Sequence, residues 1–152
     1  MNKWIKVFSP ATVANIGPGF DILAFAMNHP GDVVWAREME KPGVSINKII
    51  NGSLPKIAEK NTAGVAVLEV IKKTKFKKGI EIIVEKQMPI SSGLGSSSAS
   101  AVAAVYAANL LTGEKLTKDE MIEIAGIAEH KITSNYGENC IAALLGGFVI
   151  TT

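Results

Sequence analysis

Pro89-Ile90-Ser91-Ser92-Gly93-Leu94-Gly95-Ser96-Ser97-Ser98-Ala99-Ser100 is the stretch on which the fold of this 152-residue chain turns. Before it, Gly79 to Glu85 carries Ile80, Ile82, Ile83 and Val84, the run of a largely buried strand. After it, Ser96 begins a helix that runs to about Leu111. The loop from Met88 to Gly95 therefore ends at a helix N-terminus, where unpaired backbone N–H groups and the positive end of the helix dipole converge. Such a place binds anions, phosphate first among them. Gly93 and Gly95 let backbone approach a ligand with no Cβ in the way, and the serines add hydroxyl donors or a metal ligand. The plainer reading is a Gly-Leu-Gly turn with a serine N-cap that only begins a helix, and on these residues alone the two stand level. A Walker A loop is excluded, since Ser96 and not lysine follows Gly95, and a Rossmann fingerprint lacks its third glycine, with Ser98 in that place. A nucleophile elbow would make Ser97 the nucleophile. Its last glycine is replaced by Ala99, and only His29 and His130 are there to serve as base.

Outward from this segment, Trp4 to Ser9 alternates as a first strand that Pro10 closes, and residues 11–21 read as a turn-rich loop. Asp32 to Met39 and Val44 to Ile49 are strands separated by a turn signal at Lys41-Pro42-Gly43. Asn61-Thr62 opens a helix with Val65, Leu68 and Ile71 at helical spacing and Lys72, Lys73 and Lys75 near its negative end. Thr117-Lys118-Asp119-Glu120 has the capping-box spacing and starts another helix, to about His130. Asn139 to Leu145 is a short helix, and Phe148 to Thr152 is a final strand after Gly146-Gly147. Hairpin signals come early and crossovers late, so the fold class is α+β.

With 47% hydrophobic residues and a net charge of +2, the chain is neither disordered nor strongly charged. Its length is that of one domain. Cys140 is the single cysteine, which excludes an internal disulfide and a multi-cysteine zinc site. Charge points to no nucleic acid and no membrane as partner, and the absence of a secretory apolar region or a spanning stretch makes a cytoplasmic protein the default.

Three stretches carry a resemblance. Pro89 to Ser100 looks like the central phosphate-loop motif of the GHMP small-molecule kinases. Within that superfamily, Pro10-Ala11-Thr12-Val13-Ala14-Asn15-Ile16-Gly17-Pro18-Gly19-Phe20-Asp21 closely resembles the amino-terminal motif of the homoserine kinases. Glu138-Asn139-Cys140-Ile141-Ala142-Ala143-Leu144-Leu145-Gly146-Gly147-Phe148 is similar to the family's segment ending in Gly-Gly-Phe. The resemblance implies a ribosomal-S5-like two-layer α+β domain. It implies transfer of the γ-phosphoryl group of ATP to the side-chain hydroxyl of L-homoserine, in threonine biosynthesis, with Mg²⁺. Residues 1–152 would be the amino-terminal ATP-binding domain, without the ferredoxin-like carboxy-terminal half that supplies substrate-holding arginines. The chain alone would then bind nucleotide weakly and turn over little.

The same resemblance implies roles for single residues. Ser91, Ser92, Gly93, Leu94, Gly95, Ser96, Ser97 and Ser98 would cradle the nucleotide phosphates. The hydroxyl of Ser97 and the carboxylate of Glu129 would hold Mg²⁺, a hard-oxygen pair that suits it. Asn61 and Lys86 would meet the nucleotide, and Asn15, Asp21, Glu138 and Asn139 the acceptor. Because Asn139 is an amide where relatives such as mevalonate kinase carry an aspartate, the implied chemistry is positioning and charge stabilisation by Ser97, Glu129, Asn139 and the loop, with no dedicated base. Each residue has an ordinary reading too. Glu129 and Lys86 would be solvated, Asn61 a helix N-cap, and Asn15 and Asp21 turn residues. Tyr136-Gly137-Glu138-Asn139 departs from the family's His-Ala-Asp-Asn, and Ala142 from its proline. These departures bear on the acceptor and leave one alternative, a GHMP kinase acting on another small alcohol; the missing substrate-holding arginines leave a second, a domain that binds nucleotide or a partner without catalysis. A homodimer is left open.

Overall fold

The computed structural model describes residues 3–134 and 137–151, with the side chain of Asp21 outside that description, so the expectations for Tyr136 and for the Asp21 carboxylate lie outside the described residues. Five strands form one sheet: β1 (Ile5–Ile16), β2 (Gly19–Met39), β3 (Gly43–Ile50), β4 (Gly79–Glu85) and β5 (Phe148–Ile150). Their order is β1-β2-β4-β3, with β5 on β2, and all pairs are antiparallel except β3 with β4. Among the described residues four α-helices are interspersed with them, α1 (Thr62–Thr74) before β4 and α2 (Ser96–Leu111), α3 (Lys118–Thr133) and α4 (Glu138–Leu145) between β4 and β5. This is the expected α+β domain. No helix among the described residues is long and apolar enough to cross a membrane.

Two expectations about the strands are corrected. Pro10 does not close the first strand, which runs on to Ile16 and turns at Gly17-Pro18 into β2, so most of the expected loop at 11–21 is a hairpin. The reason is position. Among the described residues β1 pairs only with β2, and an edge strand is where a ladder tolerates proline. A register shift between Pro10 and Thr12 absorbs the irregularity. Secondly, β2 and β3 are joined by the short turn through Lys41 but are not neighbours, because β4 returns between them after α1. The turn folds over the start of β4 at Gly79, where an added Cβ would lie 2.1 Å from the Lys41 carbonyl oxygen.

Alternation on β4 sends Ile80, Ile82 and Val84 into the core, where they meet Val34 and Ala36 of β2 and the helices. α2 is buried nearly all round, and its alanines and serines let α1, α3 and the sheet approach closely. The outward face of the sheet carries Arg37 on Glu81 and stacked over Trp4, and Lys6 over Trp35. α2 is thus a fixed central post, and its first turn carries the glycine-rich loop.

Candidate active site

The helices differ in how they begin. α1 is capped by the Asn61 side chain, which accepts from Ala63 and Gly64 N–H, and α3 by the full Thr117–Glu120 capping box. α2 and α4 begin at glycines in the left-handed region, Gly95 and Gly137, with no side-chain cap. Their first turns leave backbone N–H groups for a ligand. Both helices contribute first-turn residues to one cavity of about 640 Å³, Ser96 and Ser97 from α2 and Glu138 and Asn139 from α4.

The cavity brings together most of the residues the sequence singles out: Asn15, Asn61, Lys86, Ser91, Ser92, Gly93, Gly95, Ser96, Ser97, Glu129, Glu138 and Asn139. Leu94 and Ser98 do not line it. Leu94 packs its side chain against the small cluster of Ala11, Met88 and Ala99. Ser98 is fully buried and donates its hydroxyl to Glu129. Successive residues of a helix turn point about 100° apart, so Ser97 instead reaches α1, 3.0 Å from the Thr62 hydroxyl.

Two ordinary readings fail. Glu129 is 1% exposed and not on a solvated face. Besides Ser98 it accepts from Cys140 Sγ at 3.1 Å, and burial together with this carboxylate pushes the Cys140 thiol well above its usual range. Cys140 is therefore a protonated packing residue and not a nucleophile. Lys86 is 3% exposed and paired with Asp32, which has no exposed surface. Its ammonium also donates to the Ser96 carbonyl at 3.0 Å and to Ser100 Oγ at 2.8 Å. Burial pulls its pKa below the ordinary value, against the opposing pull of Asp32. Asn61 does serve as the N-cap, and its amide nitrogen donates to the Pro55 carbonyl at 2.9 Å.

Sequence reasoning missed several residues. Asp32 ties Lys86, Ser96 and Ser100 together beneath the loop, and Lys60, Leu54, Pro55, Ile90 and Ile132 complete the cavity wall. Asp32 sits in a strand with no local mark to separate it from a surface carboxylate. Glu138 is 8% exposed, and its Oε2 is a buried acceptor with no hydrogen-bond partner, an atom suited to a cation or an N–H donor from a ligand. Ser97 and Glu129 give the same cavity a hydroxyl and a carboxylate, the hard oxygens that Mg²⁺ takes alongside phosphate and water. Among the described residues no group of three or more His, Cys, Asp or Glu could hold a metal, so such an ion would take ligand oxygens too.

The chain is similar to known proteins in sequence and in fold. The chain is 40% identical to a homoserine kinase from Chloroherpeton thalassium over 98% of its length and 51% of that protein. It is 39% identical to one from Xylella fastidiosa, over 97% of its length and 47% of that protein. The crystal structure of homoserine kinase from Cytophaga hutchinsonii superposes with a TM-score of 0.93 at 45% identity, covering 99% of this chain and 49% of that one. The chain thus spans about half the length of the relatives it matches. Residues 61–147, from the cap of α1 to the glycines before β5, match the GHMP kinases N-terminal domain, and the chain belongs to that family.

Proposed function

We propose that this chain is the amino-terminal, nucleotide-binding domain of an ATP-dependent kinase that phosphorylates the side-chain hydroxyl of L-homoserine, a step in threonine biosynthesis. The observation that carries the proposal is the convergence on one cavity of the uncapped N-termini of α2 and α4 with Ser97, Glu129, Glu138 and Asn139. The loop amides and the α2 dipole would hold the phosphates, with Lys60 adding positive charge and Lys86, whose charge Asp32 balances, bracing the loop from beneath. Leu54, Pro55, Ile90 and Ile132 offer apolar surface for the base. Ser97 and Glu129 would hold Mg²⁺, which neutralises charge on the transferring phosphoryl group. The unpartnered Glu138 oxygen suits the ammonium of an amino-acid acceptor, the feature that separates homoserine from an uncharged alcohol. Asn139 cannot take up a proton, so it orients and stabilises only.

The second half of the enzyme would cover the apolar surface around β5, where Phe20, Phe148 and Ile150 are more than half exposed. Its test is magnesium-dependent ADP formation with homoserine by the enzyme carrying this chain together with that half, abolished by Ser97→Ala. Robust turnover in that variant would remove Ser97 from its role. Preference for another small alcohol over homoserine would favour a different GHMP kinase. For the 152 residues alone, weak ATP binding with little turnover is expected, and full activity would overturn the half-site reading.

A further inference from the structure

Thr12 is fully buried on β1 and reaches two parts of the site without lining the cavity. Its backbone N–H donates to the Leu94 carbonyl at 3.0 Å, and its hydroxyl donates to Asn139 Oδ1 at 2.8 Å. Gly95 makes room for this bond. A Cβ there would lie 2.1 Å from Thr12 Oγ1 and 3.2 Å from Asn139 Oδ1, so the second glycine of the loop is required by a side-chain contact as well as by its φ of +65°. A threonine hydroxyl has one proton, and here it goes to the carbonyl end of the Asn139 amide. The other end of that amide is an NH₂ group with two donors and no acceptor.

We infer that Thr12 is a positioning residue: by holding the Asn139 amide oxygen it aims the amide nitrogen into the cavity, as a donor to the oxygens of the acceptor alcohol or the phosphoryl group. Without the anchor the amide can turn over and present its carbonyl oxygen to those same electron-rich atoms, which repels where the native amide attracts. What the nitrogen meets rests on the proposed phosphoryl transfer, but the anchoring bond does not.

Thr12→Val removes the hydroxyl at nearly constant shape, and Thr12→Ser keeps it. In the complete enzyme, Thr12→Val should lower kcat about tenfold with the KM for ATP unchanged, and Thr12→Ser should recover most of the loss. Asn139→Ala combined with Thr12→Val should be no slower than Asn139→Ala alone. In the 152-residue chain, the ¹⁵N-detected side-chain NH₂ signal of Asn139 should move in Thr12→Val and return in Thr12→Ser. A wild-type kcat in Thr12→Val, or additive losses in the double variant, would overturn the inference. Should the wild-type enzyme transfer no phosphoryl group, the proposed function fails, while an Asn139 signal indifferent to Thr12→Val would still sink the anchor by itself.

Discussion

Replacing Asp32 by asparagine removes the charge beneath the glycine-rich loop while keeping the side chain's shape. Its carboxylate accepts from Lys86 Nζ, from Ser96 Oγ at 2.8 Å, from Ser100 Oγ at 3.1 Å and from the Gln87 N–H at 2.9 Å. An amide keeps one acceptor and sets an NH₂ group against these donors, so bonds are lost and the Lys86 ammonium stays buried without its counter-charge. Breaking a buried pair from one side costs about 3–5 kcal/mol, a large share of the ~5–15 kcal/mol that holds a domain of this size. The pH dependence has a definite sign. Burial already pulls Lys86 below its ordinary 10.5, and Asp32 is what opposes it. In Asp32→Asn only the downward pull is left, so over a window below 10.5 the unfolded chain binds more protons than the folded one, and unfolding free energy rises with pH. Urea unfolding at about pH 7 and about pH 9.5 reads both effects. Asp32→Asn should be most unstable at the lower pH, and Asp32→Asn with Lys86→Met should be more stable than Asp32→Asn alone. A cost under about 1 kcal/mol for the single variant, or strict additivity in the pair, would refute the reasoning.

Two further outcomes follow from the fold. Gly79→Ala sets a Cβ 2.1 Å from the Lys41 carbonyl oxygen and 2.6 Å from Met39 Cε, so it should lower stability by about 1–3 kcal/mol; a thermal melt unchanged from wild type would show that the turn over β4 yields freely. On the acid side, Glu81, Glu85 and Glu120 are all held below the ordinary 4.5, chiefly by the Asn47 amide, the Gln87 amide and the Thr117 N–H respectively. Their folded pKa values are depressed, so what they contribute is present above 4.5 and is lost as pH falls through the lower folded values. The melting temperature should drop below that point, and Glu120→Gln should flatten part of the drop; an equal slope in wild type and variant would disconnect the capping box from it.

The parts of this protein that were legible in its sequence are those whose partners lie within one turn of chain. The Thr117–Glu120 box spans three residues, and the loop before α2 carries its own glycines and serines, so both were readable as local chemistry and both form. Pro10 misled because a local stop signal says nothing of whether the strand will lie at an edge. The burial of Lys86 against Asp32 and the reach of Thr12 to Asn139 could not be read, since each depends on a partner set by topology. Asp32 meets Lys86 only because β4 inserts beside β2, and Thr12 meets Asn139 across 127 positions because β1, the loop and α4 converge at Gly95. These two failures share a cause. A helix whose N-terminus is kept open for a ligand cannot be pinned by a capping side chain at that same spot, so its first turn has to be fixed from elsewhere. Asp32 fixes α2 through the Ser96 and Ser100 hydroxyls, and Thr12 fixes the first turn of α4 through Asn139. Both are strand residues, indistinguishable by local pattern from any other polar position on a strand, and both brace the site from behind the cavity wall.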